Sequence, residues 1–431
     1  MIARMEGETL AVFEKKSGMT AEFSGAELLR LLSWCRSPGE DEFVRRLFRL
    51  GILTDRGTDA PAVLRGYGRQ REGRPRALHI DVTDYCPLAC PQCYRAGARA
   101  EPAGSNGRAD AGVCADGNGQ AGVSGRTDMS LPGFAALIRE AAGLDCFQIA
   151  VGGGEPLCHP RIEELIACAG RTEMAVSLTT SGALPPGARL PEKISGLREA
   201  GLNHIQVSLN GSTEETNRRS RDGYRQATAL MQHLGGCGLS WGVNWTARAD
   251  NLHELEALCA LAADLGADNV NVLRYKPAGN EDYAGAALRG EEERALAARL
   301  RRVRGVRIKV DSAYSFLFRL LYGDAPEIAA GCAAGTGFVS VTAAGAFKPC
   351  SHLADAFPAK GLRAYLRSRA YLDFLREKAS PPGTCRLCRH ARTCGGCRAI
   401  APAPETGCGA GMDPASVCPA FQTVTGYSEA Q

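Results

Sequence analysis

The sequence predicts an α/β protein whose central part repeats a strand–helix unit six times. Three observations support this class: six strand-like runs each precede a helical pattern, a small strand-and-helix module comes before them, and a cysteine-rich region follows. The chain has 431 residues, 45% hydrophobic and 23% charged, which excludes a mainly disordered, collagen-like or coiled-coil protein. This length is enough for two or three domains.

The N-terminal segment contains two strand-like runs, TLAVFE and MTAEFS, followed by two amphipathic helices. The helices are predicted to begin at capping boxes led by Ser24 and Ser37. Short strands followed by two short helices predict a winged-helix-like module over residues 1–64. The polar residues 65–76 are typical of a linker.

The central region, residues 77–310, alternates strands and helices, which favours parallel strands joined by crossover helices. The predicted strands are ALHIDVT, CFQIAV, MAVSLTT, HIQVSLN, LSWGVNWTA and NVNVLRY. Residues 96–128 interrupt this alternation and are rich in Gly, Ala, Asn and Asp, so we interpret them as a flexible insertion. A further strand-like run, VRIKV, ends at residue 310, and residues 311–431 form a separate cysteine-rich region with one amphipathic helix, LRAYLRSRAYLDFLREKA.

Charge and hydropathy exclude several classes of partner. The formal net charge of +4 is too small to indicate binding to nucleic acid or an anionic membrane. No apolar run is long enough to span a bilayer, and the N-terminus lacks the features of a signal peptide. We therefore expect a cytoplasmic protein. The chain has 18 cysteines, and clustered cysteines in a reducing compartment are more often metal ligands or catalytic groups than disulfides.

The first cysteine cluster lies just after the first predicted strand of the central region. Cys86, Cys90 and Cys93 have C-x3-C-x2-C spacing. Because four-iron clusters normally take four cysteines, three thiolates predict a cluster with one iron open to an outside ligand. Active sites of strand–helix barrels lie at this end of the strands. The alternative is a zinc site with a remote fourth ligand, although zinc motifs usually pair two C-x2-C hooks.

This motif, followed by the aromatic Tyr94, resembles that of the radical S-adenosylmethionine (radical SAM) superfamily. The resemblance implies a partial (β/α)6 TIM-like barrel. It also implies that S-adenosylmethionine binds the open iron and is cleaved by one electron to a 5′-deoxyadenosyl radical, which abstracts hydrogen from a substrate.

The second predicted strand ends in VGGGEPL, which matches the family's GGE motif at Gly153, Gly154 and Glu155. In the family this turn binds the methionyl amino group, and glycine allows the backbone to approach a ligand closely. The resemblance also assigns Ser208 to the ribose and Arg221 to the cofactor carboxylate, with Tyr94 as a further cofactor residue. A solvated arginine at a helix start remains an alternative for Arg221.

Two positions depart from the family pattern. Asn210 stands where relatives often have Asp, and Ser181 where they more often have Asn. The second departure is expected to alter hydrogen bonding in the TTSG turn.

The C-terminal cysteines resemble the SPASM extension of radical enzymes that modify peptides, which holds two auxiliary four-iron clusters. The resemblance assigns the first cluster to Cys332, Cys350 and Cys397. It assigns the second to Cys385, Cys388, Cys394 and Cys418. The chain would thus hold three [4Fe-4S] clusters.

The cysteine spacing leaves two questions in this region. In the C-x2-C-x5-C-x2-C run formed by Cys385, Cys388, Cys394 and Cys397, only two glycines separate Cys394 from Cys397, one residue fewer than usual. The first auxiliary cluster lacks an obvious fourth ligand, so either Cys408 supplies it or one iron stays open for a substrate thiolate. A zinc ribbon is the alternative for the two C-x2-C pairs, but their separation is shorter than zinc hooks usually have.

The resemblance therefore predicts an enzyme that modifies a ribosomally made precursor peptide, most simply by a thioether or carbon–carbon crosslink. The N-terminal module would hold the leader by strand addition, and a ferredoxin or flavodoxin would supply electrons. The alternatives are oxidation of a protein side chain, as in sulfatase maturation, and, with lower expectation, tetrapyrrole decarboxylation or peptide epimerisation. A different class, a non-catalytic iron–sulfur or zinc protein that binds peptides, is disfavoured by the intact motifs.

Overall fold

The computed structural model describes residues 1–6, 8–15, 19–36, 41–67, 75–95, 126–277, 283–322, 331–380, 394 and 396–400. The strands are β1 (Ile2–Glu6), β2 (Thr9–Glu14), β3 (Met19–Phe23), β4 (Ala77–Thr83), β5 (Gln148–Gly153), β6 (Ala175–Thr180), β7 (His204–Ser208), β8 (Ser240–Ala247), β9 (Asn269–Arg274), β10 (Arg307–Val310), β11 (Phe338–Val341) and β12 (Phe347–Lys348). The α-helices are α1 (Gly25–Arg36), α2 (Glu42–Arg49), α3 (Arg56–Tyr67), α4 (Leu131–Ala142), α5 (Ile162–Gly170), α6 (Leu190–Glu199), α7 (Glu214–Arg218), α8 (Tyr224–Cys237), α9 (Leu255–Asp264), α10 (Tyr283–Ala286), α11 (Glu291–Leu300), α12 (Ser315–Tyr322), α13 (Leu362–Leu366) and α14 (Arg369–Ala379).

A nine-stranded sheet forms the centre, in the order β10-β9-β8-β7-β6-β5-β4-β11-β12. All six predicted strands are present as β4 to β9, and each pairs in parallel with its neighbour in the chain. The strand-like run at 306–310 gives β10, parallel to β9. Two strands from the C-terminal region extend the sheet: β11 pairs in parallel with β4, and β12 pairs antiparallel with β11. The predicted α/β class with a parallel sheet is confirmed.

One hydrogen bond links the segment after β10 to the segment before β11. The backbone amide of Ala333, five residues before β11, donates to Ser312 Oγ, just after β10, at 3.4 Å. On β4 the residues Leu78, Ile80 and Val82 are fully buried and belong to the main hydrophobic core with the surrounding helices. Polar residues alternate with them, because successive strand residues face opposite sides. Strand β4 thus has an apolar face under the helices and a polar face on the opposite side.

The N-terminal region is a three-stranded antiparallel sheet, β1-β2-β3, with helices α1 to α3. Three of its elements differ from the predictions. Helix α2 begins at Glu42 and not at the capping box led by Ser37, because the Asp41 side chain caps it by accepting bonds from the Phe43 and Val44 amides. Strand β1 was not expected because Arg4 and Glu6 interrupt its apolar pattern. Helix α3 was not expected because it contains Pro61; Asp59 stabilises its start by accepting bonds from the Thr54 and Asp55 amides at 2.6 and 2.9 Å.

The N-terminal region packs against the amino ends of the central strands. Arg4 is almost completely buried (1% exposed) and donates to the carbonyls of Leu144 and Asp145 at 2.9 and 2.6 Å, as well as to Glu6. Phe13 of β2 stacks on Phe147, directly before β5, with ring centroids 6.1 Å apart. The N-terminal region is therefore attached at the end of the sheet opposite to the first cysteine motif.

The amphipathic helix predicted over 362–379 is two helices, α13 and α14, because Ser368 caps the second by accepting a bond from the Tyr371 amide at 3.2 Å. Helix α3 extends into the start of the predicted linker, whose residues 68–74 lie outside the described ranges, as does most of the predicted insertion at 96–128. Within the described ranges no helix is long and apolar enough to cross a membrane.

Candidate active site at the carboxyl end of the sheet

The first cysteine motif lies in the loop that follows β4. Cys90 is buried, Cys86 and Cys93 are partly buried, and the Cys93 amide donates to the Cys90 carbonyl at 3.2 Å. Burial raises the pKa of Cys86 to about 11, and the charges of Glu155, Cys90 and Cys93 add to this effect. The three thiols therefore act on one another, and they favour the thiolate form only when a positive centre compensates their charge. This donor set fits an iron–sulfur cluster.

Within the described ranges, no three His, Cys, Asp or Glu side chains are gathered tightly enough to hold a single metal ion. A four-iron cluster is larger than one ion, and each cysteine ligand binds a different iron. Three cysteines in this loop therefore fit a four-iron cluster better than a single metal ion.

The glycine turn after β5 packs directly on the segment that leads to the cysteines. The Gly154 amide donates to the Thr83 carbonyl and the Glu155 amide to the Tyr85 carbonyl, both at 2.7 Å. A Cβ on Gly154 would lie 2.1 Å from the Tyr85 oxygen. Gly153 has φ of +129°, and a Cβ there would lie 2.4 Å from the Thr83 oxygen. Only glycine permits this backbone contact, so the GGE turn and the cysteine loop form one structural unit.

Glu155 connects this unit to the turn after β6. Its buried carboxylate accepts bonds from Thr180 Oγ1 at 2.6 Å, from the Ser181 amide at 2.8 Å and from the Leu157 amide at 3.1 Å, and also from the Ser181 hydroxyl. Burial raises the pKa of Glu155, and these hydrogen bonds partly offset the increase. Ser181, at a position that departs from the family pattern, is therefore a direct partner of Glu155.

The segment Ser220–Gly223 holds the other side of the cysteine loop. The Ala89 amide donates to Asp222 Oδ2 at 2.9 Å, and the Gln92 amide donates to the Ser220 carbonyl at 3.1 Å. Arg221 lies in this segment. Burial raises the pKa of Cys90, and the Arg221 guanidinium opposes that increase. The buried Nε of Arg221 has no hydrogen-bond partner in the described structure. Arg221 is thus close to the cysteines and has a donor available to a ligand.

Two more predicted cofactor residues, Ser208 and Tyr94, lie near this end of the sheet. Ser208 is buried at the end of β7, opposite Asn244 in register. The Tyr94 ring packs on His352 with centroids 4.8 Å apart, and the charge of Asp81, together with burial, raises the Tyr94 pKa well above its usual range.

Asn210 has a structural role in the loop after β7. Its Nδ2 donates to Ser220 Oγ at 2.8 Å, its amide to Asn217 Oδ1 at 2.8 Å, and its carbonyl accepts from Trp245 Nε1 at 3.2 Å. The side chain is therefore occupied by bonds within the protein.

Three cysteines of the second group also come together. Burial raises the pKa of Cys350 to about 11, and charge on Cys397 and Cys332 raises it further. Cys350 Sγ lies 3.8 Å from His352 Nδ1. These are the three residues assigned by resemblance to the first auxiliary cluster. Of the second set, Cys394 packs at the edge of the main core, and Cys385, Cys388 and Cys418 lie outside the described residues, as does Cys408.

Sequence reasoning missed several residues of this end of the sheet. Asp222 and Ser220 position the cysteine loop, and Thr180, at the end of β6, bonds to Glu155. The Ala89–Asp222 and Thr180–Glu155 bonds join residues 133 and 25 positions apart along the chain, so the local sequence held no signal for these contacts.

Comparisons with known proteins agree with this geometry. The sequence profile of the Radical SAM superfamily matches residues 80–262. The PqqA peptide cyclase of Ruegeria pomeroyi is 29% identical over 338 residues, covering 75% of this chain and 82% of that protein. The AdoMet-dependent heme synthase of Methanosarcina barkeri is 25% identical, covering 76% and 92%.

The fold is also similar to that of SuiB from Streptococcus suis. The crystal structure of SuiB bound to S-adenosylmethionine has a TM-score of 0.61 at 16% identity, covering 92% of this chain and 94% of that one. SuiB bound to its precursor peptide SuiA has a TM-score of 0.59 at 14% identity, with the same coverage. The motifs, their arrangement at the carboxyl end of a parallel sheet and these relatives lead to one assignment: this chain contains a Radical SAM domain over residues 80–262.

Proposed function

We propose that this enzyme uses S-adenosylmethionine to generate a radical that modifies a ribosomally made peptide. The observation that carries the proposal is the backbone pairing of the Gly153–Glu155 turn with the segment before Cys86. This pairing joins the glycine turn to the segment that leads into the three cysteines, and it supports a cofactor that contacts both. The similarity to a PqqA peptide cyclase supports a peptide as the substrate, and the SuiB complex with its precursor peptide agrees with that choice.

In this proposal Cys86, Cys90 and Cys93 hold a four-iron cluster with one iron left for S-adenosylmethionine. The bound cluster and cofactor supply one-electron cleavage to a 5′-deoxyadenosyl radical. The turn at Gly153 and Gly154 allows the methionyl end to approach the backbone. The buried Nε of Arg221, which has no partner in the described structure, donates a hydrogen bond to the cofactor carboxylate.

The remaining assigned residues complete this cofactor site. Ser208 contacts the ribose, and Tyr94 packs beside the site. Glu155 holds the turn in place through its bonds to the loop after β6.

The cysteines of the C-terminal region hold two auxiliary clusters in the same proposal. Cys332, Cys350 and Cys397 bind the first, completed by Cys408 or by a substrate thiolate. The quartet Cys385, Cys388, Cys394 and Cys418 binds the second. A ferredoxin or flavodoxin supplies the reducing electrons, and the product carries a thioether or carbon–carbon crosslink.

The N-terminal module, residues 1–64, binds the leader of the precursor peptide. Strand β3 lies at one edge of its sheet, and an edge strand can accept a further strand through its backbone. Residues 65–76 link this module to the radical SAM core at 77–310, and residues 311–431 form the auxiliary-cluster domain.

The test is anaerobic reconstitution with S-adenosylmethionine, a reductant and the small peptide encoded beside this gene, followed by mass spectrometry of the peptide and of 5′-deoxyadenosine. Loss of two hydrogens with a cysteine that can no longer be alkylated indicates a thioether. The same loss with free thiols indicates a carbon–carbon or carbon–oxygen bond. An unchanged peptide mass together with 5′-deoxyadenosine would move the proposal to epimerisation or to another substrate, such as a protein side chain or a tetrapyrrole.

The cysteine assignment has its own control. Replacing Cys86, Cys90 and Cys93 with Ala is expected to abolish 5′-deoxyadenosine formation, because the cluster loses its three protein ligands. Replacing Cys168 and Cys237, which are partly buried and lie outside both groups, is expected to preserve it. Continued formation in the triple variant would refute the assignment.

A further inference from the structure

His352 lies in the C-terminal region and has no part in the chemistry proposed so far. It belongs to a turn, residues 350–353, in which the Leu353 amide donates to the Cys350 carbonyl at 3.1 Å. The Nδ1 atom of His352 lies 3.2 Å from Ser351 Oγ and 3.8 Å from Cys350 Sγ. The partly buried imidazole is therefore held by the turn that carries Cys350.

The backbone on both sides of this turn is fixed within the C-terminal region. Phe347 and Phe357 exchange two backbone hydrogen bonds, with N–O distances of 2.9 and 2.8 Å. The almost fully buried ring of Phe347 stacks on Tyr365 of α13, with centroids 5.0 Å apart. The position of His352 is therefore set from within the C-terminal region.

The same imidazole contacts the first cysteine loop. Its ring packs on Tyr94 with centroids 4.8 Å apart and an angle of 35° between the planes, a separation that is favourable for aromatic pairs. Tyr94 directly follows Cys93 in the chain. The contacts of Asp222 and Ser220 with the cysteine loop come from the radical SAM core, whereas the partner of Tyr94 belongs to the C-terminal region.

The end of the cysteine loop is thus held at two neighbouring residues. Arg95 forms an ion pair with Asp81 of β4, and Tyr94 packs on His352. A residue that loses a packing partner gains conformational freedom, which a ligand must remove when it binds. Without the imidazole, a ligand that needs one arrangement of this loop therefore binds more weakly.

We propose that His352 is a positioning residue for S-adenosylmethionine and acts through its ring contact with Tyr94. This inference rests on the proposed function, since it requires a cluster at the first cysteine motif that binds the cofactor. His352 itself does not touch the cofactor. It keeps the loop in the arrangement that binds S-adenosylmethionine, so the cofactor site is complete only when the turn at residues 350–353 is folded against it.

The test is a titration of the anaerobically reconstituted and reduced full chain with S-adenosylmethionine, followed by electron paramagnetic resonance without peptide. The signal that changes when the cofactor is added gives its Kd. His352→Leu removes the ring and is expected to raise this Kd about 2- to 13-fold, the factor that corresponds to one lost aromatic pair. Iron content is measured for each variant, so that lost clusters are counted separately from weaker binding.

Two further variants separate the ring of His352 from its nitrogen near Cys350. His352→Phe keeps an aromatic ring and is expected to bind the cofactor as the unmodified protein does. His352→Asn keeps a polar atom near the position of Nδ1 but has no ring, and is expected to match His352→Leu. In a chain that already carries Tyr94→Leu, His352→Leu is expected to cause no further change, because the contact is already lost.

His79 provides a matched control. Its partly buried ring stacks on Phe338, with centroids 4.2 Å apart, and so joins β4 to β11 of the C-terminal region by a contact of the same kind. This contact does not involve the cysteine loop. His79→Leu is therefore expected to leave the Kd of S-adenosylmethionine unchanged.

An unchanged Kd in the Leu and Asn variants of His352, an equal rise in His352→Phe, or an equal rise in His79→Leu would each overturn the inference. Additive effects of His352→Leu and Tyr94→Leu would overturn it as well. If no signal of the unmodified protein responds to S-adenosylmethionine, the proposed cofactor site is itself wrong, and this inference falls with it. A signal that responds with the same Kd in every variant contradicts the role of His352 alone.

Discussion

Buried arginines at the two ends of the central sheet differ in how their donors are used. At the amino end, Arg4 donates to Glu6 and to two backbone carbonyls beneath the N-terminal module. At the carboxyl end, the buried Nε of Arg221 has no partner in the described structure. An unpartnered buried donor lowers the free energy of unfolding. Such a donor is most readily retained where a bound ligand accepts its hydrogen bond. The comparison separates a region that stabilises the fold from the region that we propose binds the cofactor.

Removing Arg4 tests the stabilising region and is expected to have the largest effect on folding. Arg4→Met leaves the Leu144 and Asp145 carbonyls without their donor and removes one partner of a buried ion pair. We expect a loss of about 3 kcal/mol in the free energy of unfolding, measured by urea denaturation of the iron-loaded protein. Arg189→Met, at an exposed ion pair with Glu192, is expected to change little. Equal effects of the two variants would contradict the comparison.

Adding one methyl group at Gly154 tests the binding region. Gly154→Ala would push the turn away from the Tyr85 carbonyl, which lies 2.1 Å from the added carbon. Because displacements of about 1 Å cost roughly 100-fold in rate, 5′-deoxyadenosine formation is expected to fall by about that factor. Gly236→Ala is the control, since its Cβ meets nothing within 4 Å. Full activity of Gly154→Ala would show that the turn does not position the cofactor.

A pH titration extends the comparison to the amino end of β7. Burial, with a contribution from Lys309, lowers the pKa of His204 to about 4, so the folded protein keeps the ring neutral. The unfolded chain binds a proton near pH 6.5, and stability is therefore lost as the pH falls from about 6.5 to 4. His204→Gln is expected to remove roughly 2 kcal/mol of this loss at pH 5, measured by urea denaturation between pH 7.5 and 5. The exposed His253→Gln serves as control. Identical profiles of stability against pH for both variants would disprove that His204 causes the loss of stability.

The smallest expected effect concerns a residue at the carboxyl end that only stabilises the fold. Ser130 caps α4, and its Oγ accepts a bond from the Gly133 amide at 3.2 Å. Ser130→Ala is expected to cost about 1 kcal/mol in the free energy of unfolding, with unchanged 5′-deoxyadenosine formation per loaded cluster. Ser130→Asp should restore the stability, because Asp is also an effective cap. A loss of activity in Ser130→Ala would contradict the claim that Ser130 only stabilises the fold.

The sequence was sufficient to predict the six central strands, because each is apolar at the positions that face the helices and is followed by an amphipathic helix. It was not sufficient for β11 and β12, whose position beside β4 depends on pairing between residues far apart in the chain. The break at Ser368 was missed because the apolar pattern continues across it.

The candidate site divides in the same way. Cys86, Gly154 and Cys350 belong to motifs that can be recognised locally. The contacts of Asp222 and Ser220 with the cysteine loop depend on the fold, and short polar residues give no periodic signal.

The parallel pairing of β4 with β11 has a consequence for how the protein is synthesised. Strand β4 ends at Thr83 and β11 begins at Phe338, so the ribosome adds 254 residues after β4 before its edge partner begins to emerge. At about 5–20 residues per second, this takes roughly 10–50 s. During that interval the edge of β4 is open to pairing with other chains. We expect shortened chains that end before β11 to aggregate, and full-length production in cells to depend on chaperones that occupy this edge until translation is complete.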